Sequence, residues 1–234
     1  MPYRTLLLDA DGTLLDFERS ESEAISRTLQ LHHLPDTEEW IHAYHKINDA
    51  IWKQLERGEV TKNDLRWMRF SRLLEHFGVS GDHHAIADTY VDELSARAYL
   101  LPGALEACRI LSSQYKLYII TNGIAYVQHR RLSSLPLSTL IEKNYISEEL
   151  GYEKPDIRYF QAVAEDIPDF DPKTALVVGD SLTSDMAGGI GAGLDTCWIN
   201  PTGRPIPSHL SITYSIPSIA DLPGLLMRNE ANHL

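Results

Sequence analysis

The sequence predicts an α/β protein, a Rossmann-like doubly wound parallel sheet carrying an inserted all-helical cap. Three observations predict it. Four short runs are continuously apolar rather than alternating, as expected of strands buried on both faces. Stretches with helical spacing lie between the later runs, the alternation of a parallel α/β sheet. Between the first run and the second, about 80 residues carry helical periodicity and no strand pattern.

Thr5–Leu8 is the first run and stops at Asp-Ala-Asp-Gly. Lys116–Ile120 stops at Thr-Asn-Gly, Thr174–Val178 at Gly-Asp-Ser, and Asp195–Ile199 at Asn-Pro. Helices are predicted at Gly103–Ser113, Ile124–Leu135, Asp156–Asp166 and Leu182–Ala192. An edge strand at Ile212–Ser215 and a last helix at Ser218–Met227 complete the chain. The insertion at 16–99 shows apolar residues at helical spacing, such as Ile41, Tyr44, Ile47 and Ile51, or Leu65, Met68, Leu73 and Phe77. About four helices fit there. The expected organisation is an α/β core from 1–15 and 100–234, with a helical cap at 16–99 inserted after the first strand. A chain of 234 residues suits one domain bearing such an insertion.

Composition narrows the partners. Lys and Arg number 21 and Asp and Glu 33, a net charge of −12 spread over both parts. A nucleic-acid polymer needs a basic face, and an anionic membrane surface repels such a chain. Small molecules, including small anions held locally by a metal, remain compatible. No apolar run reaches the roughly 20 residues of a membrane span. The opening MPYRTLLLDADG does not read as a signal peptide. Cys108 and Cys197 are isolated, which fits reduced buried thiols and a cytoplasmic setting.

In open α/β sheets, ligands bind beyond the carboxyl ends of the strands. Asp9, Asp11, Thr121, Asn122 and Asp180 stand there in this sequence. Two carboxylates at i and i+2 after a buried strand are costly unless they meet a cation. One of such a pair can attack phosphorus, and the other can serve as general acid and base. Gly12 allows the chain to turn sharply out of the strand. Thr121-Asn122-Gly123 ends a strand and opens a helix, offering a hydroxyl and backbone N–H groups to an anion. Lys154-Pro155-Asp156 precedes a helix and brings a cation to the same edge, where it balances carboxylates and phosphoryl oxygens. Asp180 is placed to bind a hard cation such as Mg²⁺. Asp185 is placed either to hold metal-bound water or to orient Lys154. Taken singly, each motif has a plainer explanation as a helix cap, a turn or a solvated charge.

Together, the order Asp9-Ala10-Asp11-Gly12-Thr13, Thr121-Asn122, Lys154, and Gly179-Asp180 through Asp185 resembles the haloacid dehalogenase-like (HAD) phosphohydrolases. The insertion after the first motif is similar to that superfamily's C1-type cap. The resemblance implies Asp9 as nucleophile and Mg²⁺ ligand, and Asp11 as acid/base and, through its backbone carbonyl, a metal ligand. It implies Thr121 and the Asn122 backbone N–H as phosphate binders. Lys154 would stabilise charge, Asp180 ligate Mg²⁺ and Asp185 support the metal site. The presence of Asp11 speaks against a dehalogenase, which usually lacks it and needs no metal. The stretch Trp52–Thr61 with Arg69-Phe70, Tyr152–Asp156, and Gly193–Pro201 further resemble bacterial 5′-nucleotidases that prefer pyrimidine nucleotides. That branch often has an acid where Gly12 stands. The implied reaction is hydrolysis of a nucleoside 5′-monophosphate. The same core also serves sugar-phosphate and phosphoglycolate phosphatases, phosphosugar mutases and, when catalytic residues are lost, regulatory proteins.

Three features point elsewhere and are explained more simply. Gly188–Gly193 lies after a helix and before a strand, the wrong order for a dinucleotide fingerprint. His42 and His45 share a helix face but lack zinc-ligand partners at clear spacing. Arg66, Arg69 and Arg72 suit a solvated helix face at least as well as a substrate contact.

Overall fold

The computed structural model describes residues 3–231. Six strands form one parallel sheet: β1 (Thr5–Asp9), β2 (Lys116–Thr121), β3 (Lys143–Ile146), β4 (Ala175–Gly179), β5 (Asp195–Ile199) and β6 (Tyr214–Ile216), in the order β3-β2-β1-β4-β5-β6. The helices are α1 (Phe17–Leu31), α2 (Glu38–Glu56), α3 (Lys62–Phe77), α4 (His83–Ser95), α5 (Ala104–Ser112), α6 (Ala125–Ser133), α7 (Ser147–Leu150), α8 (Ile157–Asp166), α9 (Ala187–Gly191) and α10 (Leu222–Ala231). Every residue of β1 and β4 is buried, as the unbroken apolar runs require. The chain reverses its winding between β1 and β4, which makes the crevice at their carboxyl ends the natural ligand site.

The predicted strands are all present, and β3 is one the pattern did not reveal. Its Lys-Asn-Tyr-Ile has only two buried residues, so neither a continuous run nor a long alternation marks it. The helix expected over 182–192 opens instead with a π-turn. Met186 N–H bonds the Ser181 carbonyl five residues back at 3.0 Å, and α9 follows. In α9, a Cβ on Gly188 would run into the Phe160 ring, so the glycines there serve close packing.

The chain divides into two compact units, one of 1–16, 99–125 and 132–234, the other of 17–98 and 126–131. The expectation assigned all of 100–234 to the core, yet 126–131 groups with the helices. Within that unit Tyr126 Oη donates to Asp92 at 2.9 Å and Arg131 Nε donates to the Arg97 carbonyl at 3.1 Å.

The helical unit packs α1 with α4 and α2 with α3 around Ile25, Leu29, Tyr44, Phe70, Leu73 and Tyr90. Thr61 and Asp64 form a reciprocal capping box at the start of α3. A polar network crosses this core. Glu21 of α1 accepts from His45 Nδ1 at 2.8 Å and Asn48 Nδ2 at 2.7 Å, both of α2. Arg69 of α3 donates to Asn48 Oδ1 at 3.2 Å, and its guanidinium lies 4.5 Å from the Tyr90 ring centroid of α4. Arg69 is 2% exposed, so it belongs to the interior of the unit rather than to a solvated face.

The Glu21 bond raises His45 above the ordinary imidazole value, against the opposing effect of burial. A raised imidazole contributes stability that is full below the unfolded pKa of about 6.5 and is lost as pH rises through the folded value. Urea unfolding is therefore expected to show wild type exceeding His45→Gln by about 1 kcal/mol at pH 5.5, with the difference largely gone at pH 9.

Candidate active site

The site begins where β1 ends. Asp9 is the last residue of β1, 7% exposed, and its register partner on β2 is Ile120. Lys154 lies in the loop between α7 and α8, 2% exposed. Its ammonium donates to Asp9 Oδ1 at 2.7 Å, to Asp185 Oδ1 at 2.6 Å and to the Ile120 carbonyl at 3.0 Å. Three residues more than 30 positions apart thus meet through one cation. All three ammonium hydrogens have acceptors, which is how a buried lysine stays charged. Burial alone would lower its pKa, but Asp185 and Asp9 outweigh burial and hold it above the ordinary lysine value.

Asp185 is supplied by the π-turn after β4. It is 1% exposed, and its second oxygen accepts the Ser181 N–H at 3.1 Å. Of the two roles anticipated for Asp185, contact with Lys154 is the one seen. Asp180 follows β4 directly, and its main-chain carbonyl accepts the Trp198 Nε1–H of β5 at 2.9 Å. Asp9, Asp180 and Asp185 each offer a carboxylate oxygen, all within 4.8 Å of one another. Asp11 carries its carboxylate outside that triplet, close enough to raise Asp180. Asp180 is pushed up to about 7, first by burial and then by Asp185. Burial also pushes Asp9 up, with Lys154 opposing it. Hard oxygen ligands at this spacing suit a divalent cation such as Mg²⁺.

Thr121 ends β2, 2% exposed, and its hydroxyl accepts the Gly123 N–H at 3.1 Å. The Asn122 side chain engages Lys154: Nδ2 donates to the Lys154 carbonyl at 2.8 Å, and Oδ1 accepts the Lys154 N–H at 2.8 Å. Asp156 caps α8 and pairs with Arg158 at 2.5 Å, so it takes no part in the carboxylate group.

Sequence reasoning quoted Gly179, Ser181 and Trp198 only as parts of longer stretches, and assigned no contact to them or to the Asn122 side chain. The glycines had a legible signal, since Gly12 follows Asp11 and Gly179 precedes Asp180. Gly12 sits at φ +81°, and a Cβ there would lie 2.5 Å from Asp180 Oδ2. A Cβ on Gly179 would overlap the Asp185 carboxylate. Gly179→Ala is accordingly expected to cost about 2 kcal/mol in urea unfolding through overpacking. Gly191→Ala, in open space on α9, is expected to be neutral or stabilising by less than about 1 kcal/mol.

Residues 3–193 match the family model of haloacid dehalogenase-like hydrolases. The chain is 37% identical to HAD-hydrolase YfnB of Bacillus subtilis, over 96% of this chain and 95% of that protein. The crystal structure of YfnB bound to magnesium superposes with a TM-score of 0.92, over 97% of this chain and 99% of that one. The pyrimidine 5′-nucleotidases PynA of Streptococcus pneumoniae and YjjG of Escherichia coli are 36% and 29% identical. They align over 98% of this chain in both cases, and over 97% and 100% of their own lengths. With its motif residues gathered at the carboxyl end of one parallel sheet, the chain belongs to the haloacid dehalogenase-like hydrolases.

Proposed function

We propose that this chain is a Mg²⁺-dependent phosphomonoester hydrolase that acts on nucleoside 5′-monophosphates, pyrimidine nucleotides foremost, through a phosphorylated Asp9. The observation that carries the reading is the buried Lys154 ammonium joining Asp9 to Asp185 beside Asp180. Nearly full-length similarity to PynA and YjjG supports the nucleotide substrate. In this reading the helical insertion at 16–99 is the cap, and the protein works in the cytoplasm.

Asp9 and Asp180, with the Asp11 main-chain carbonyl, would hold Mg²⁺, and Asp185 would support them. When bound, the cation neutralises phosphoryl charge as a Lewis acid. The chain's own groups do the rest. Lys154 pins one oxygen of Asp9 and fixes the carboxylate's orientation for in-line attack. An Asp9 oxygen forms a bond to phosphorus as the ester P–O bond breaks, and Asp11 donates a proton to the departing alkoxide. Water then attacks phosphorus, Asp11 takes its proton, and the Asp9–phosphorus bond breaks to release phosphate. Thr121 Oγ1 and the Asn122 N–H bind the transferring phosphoryl oxygens, and Lys154 balances their charge.

Asp9→Asn is expected to lose at least about a thousandfold in kcat with an unchanged circular dichroism spectrum; retained turnover would overturn the covalent route. EDTA should abolish hydrolysis and Mg²⁺ restore it. Proton and cation compete for Asp180, so half-maximal activation should need more Mg²⁺ at pH 6 than at pH 8. A side-by-side panel of nucleotides, sugar phosphates and phosphoglycolate decides the substrate. Preference for pyrimidine monophosphates is expected, preference for a sugar phosphate replaces the nucleotide reading, and inactivity throughout leaves a regulatory protein on this scaffold.

A further inference from the structure

We infer that the Asn122 carboxamide is the positioning device for Lys154, acting on the ammonium through the lysine's main chain. The inference rests on the reading of Asp9 as nucleophile. Lys154 has no secondary structure of its own to hold it, because it stands in the loop between α7 and α8. Its ammonium nevertheless has to meet two carboxylates within hydrogen-bond distance. Strand β2 and the residue just past its end grip Lys154 at both ends. At one end the Ile120 carbonyl accepts the ammonium at 3.0 Å. At the other, the Asn122 side chain donates to the Lys154 carbonyl and accepts its N–H, each at 2.8 Å.

Two parallel bonds from a planar carboxamide set both the place and the rotation of a peptide segment, which one bond does not. The residue choice follows from this geometry. Aspartate offers no donor for the Lys154 carbonyl, alanine offers neither group, and glutamine carries the carboxamide one methylene too far. The backbone N–H of Asn122 is untouched by any of these changes, so its proposed contact with phosphate is separable from the work of the side chain. A lysine displaced by about 1 Å leaves Asp9 poorly oriented, and misplacement on that scale costs about a hundredfold in rate.

The test is a double-mutant cycle on the full chain with Mg²⁺ and the best substrate of the panel. Asn122→Ala is expected to lower kcat ten- to about a hundredfold while KM moves less than threefold, and Asn122→Asp should also lower kcat. In a Lys154→Met background, Asn122→Ala should cost less than a further twofold. An equal factor in both backgrounds, or kcat within twofold of wild type, would overturn the inference. A readout free of activity guards against folding defects: acylation of Lys154 by acetic anhydride, scored by mass spectrometry against exposed Lys173. Asn122→Ser, with a thermal midpoint near wild type, should raise Lys154 labelling several-fold, and unchanged labelling would also overturn the clamp. A wild type inactive on every phosphomonoester would instead overturn the functional reading, and the labelling would still judge the clamp on its own.

Discussion

A buried ammonium between two buried carboxylates is the constraint on which the site depends. Removing such charges from water costs several kcal/mol each, and only close, fully bonded geometry offsets that cost. Lys154 therefore cannot be approximately placed. It needs Asp9 at the end of β1, the Ile120 carbonyl at the matching level of β2, and Asp185 in the π-turn after β4. Each demand fixes a neighbour. Asp185 reaches the lysine because Gly179 leaves room for its carboxylate and Ser181 holds its other oxygen. The extra residue in the turn after β4 is thus part of how an acid from a helix start is delivered to a sheet end.

The same triplet explains why net charge is a poor guide to what the protein meets. The chain carries −12 overall, yet at the crevice one buried lysine offsets two of the gathered carboxylates, and a hard cation bound there would reverse the local balance. Asp180 is raised first by its burial and then by the neighbouring Asp185 charge. In the helical unit the logic repeats on a smaller scale. Glu21, His45, Asn48 and Arg69 run a hydrogen-bonded line across three helices and end over Tyr90 of the fourth. Such a network ties helices together at specified heights, which apolar packing alone does loosely.

Much of the architecture was legible because buried strands write themselves as unbroken apolar runs, and β1, β2, β4 and β5 do so. Lys143–Ile146 escaped because an edge strand with one exposed and one half-buried residue has no such run. The helix expected over 182–192 was right in place and wrong in its first turn, since a single π bond leaves no trace in periodicity. Arg69 lay in a stretch rich in charge and read as either a solvated face or a substrate contact, whereas its guanidinium is buried by partners from α2 and α4 that are distant in the chain.

By itself, the sequence determined the sheet, the inserted helices and the short polar motifs that follow the strands, because those properties are local: periodicity, chain reversal and residue chemistry over a few positions. Which atoms those motifs bring together was decided only by tertiary structure. Asp185 read equally as a support for metal-bound water or a partner for lysine, and its 2.6 Å approach to Lys154 depends on the parallel stacking of β1, β2 and β4. Asn122 read as an anion-binding turn through its backbone N–H, and nothing in that reading gave its side chain the hold it has on a loop 32 residues away. Contacts between distant segments arise from strand order and register, and those are set by the packing of the whole sheet rather than by any one motif.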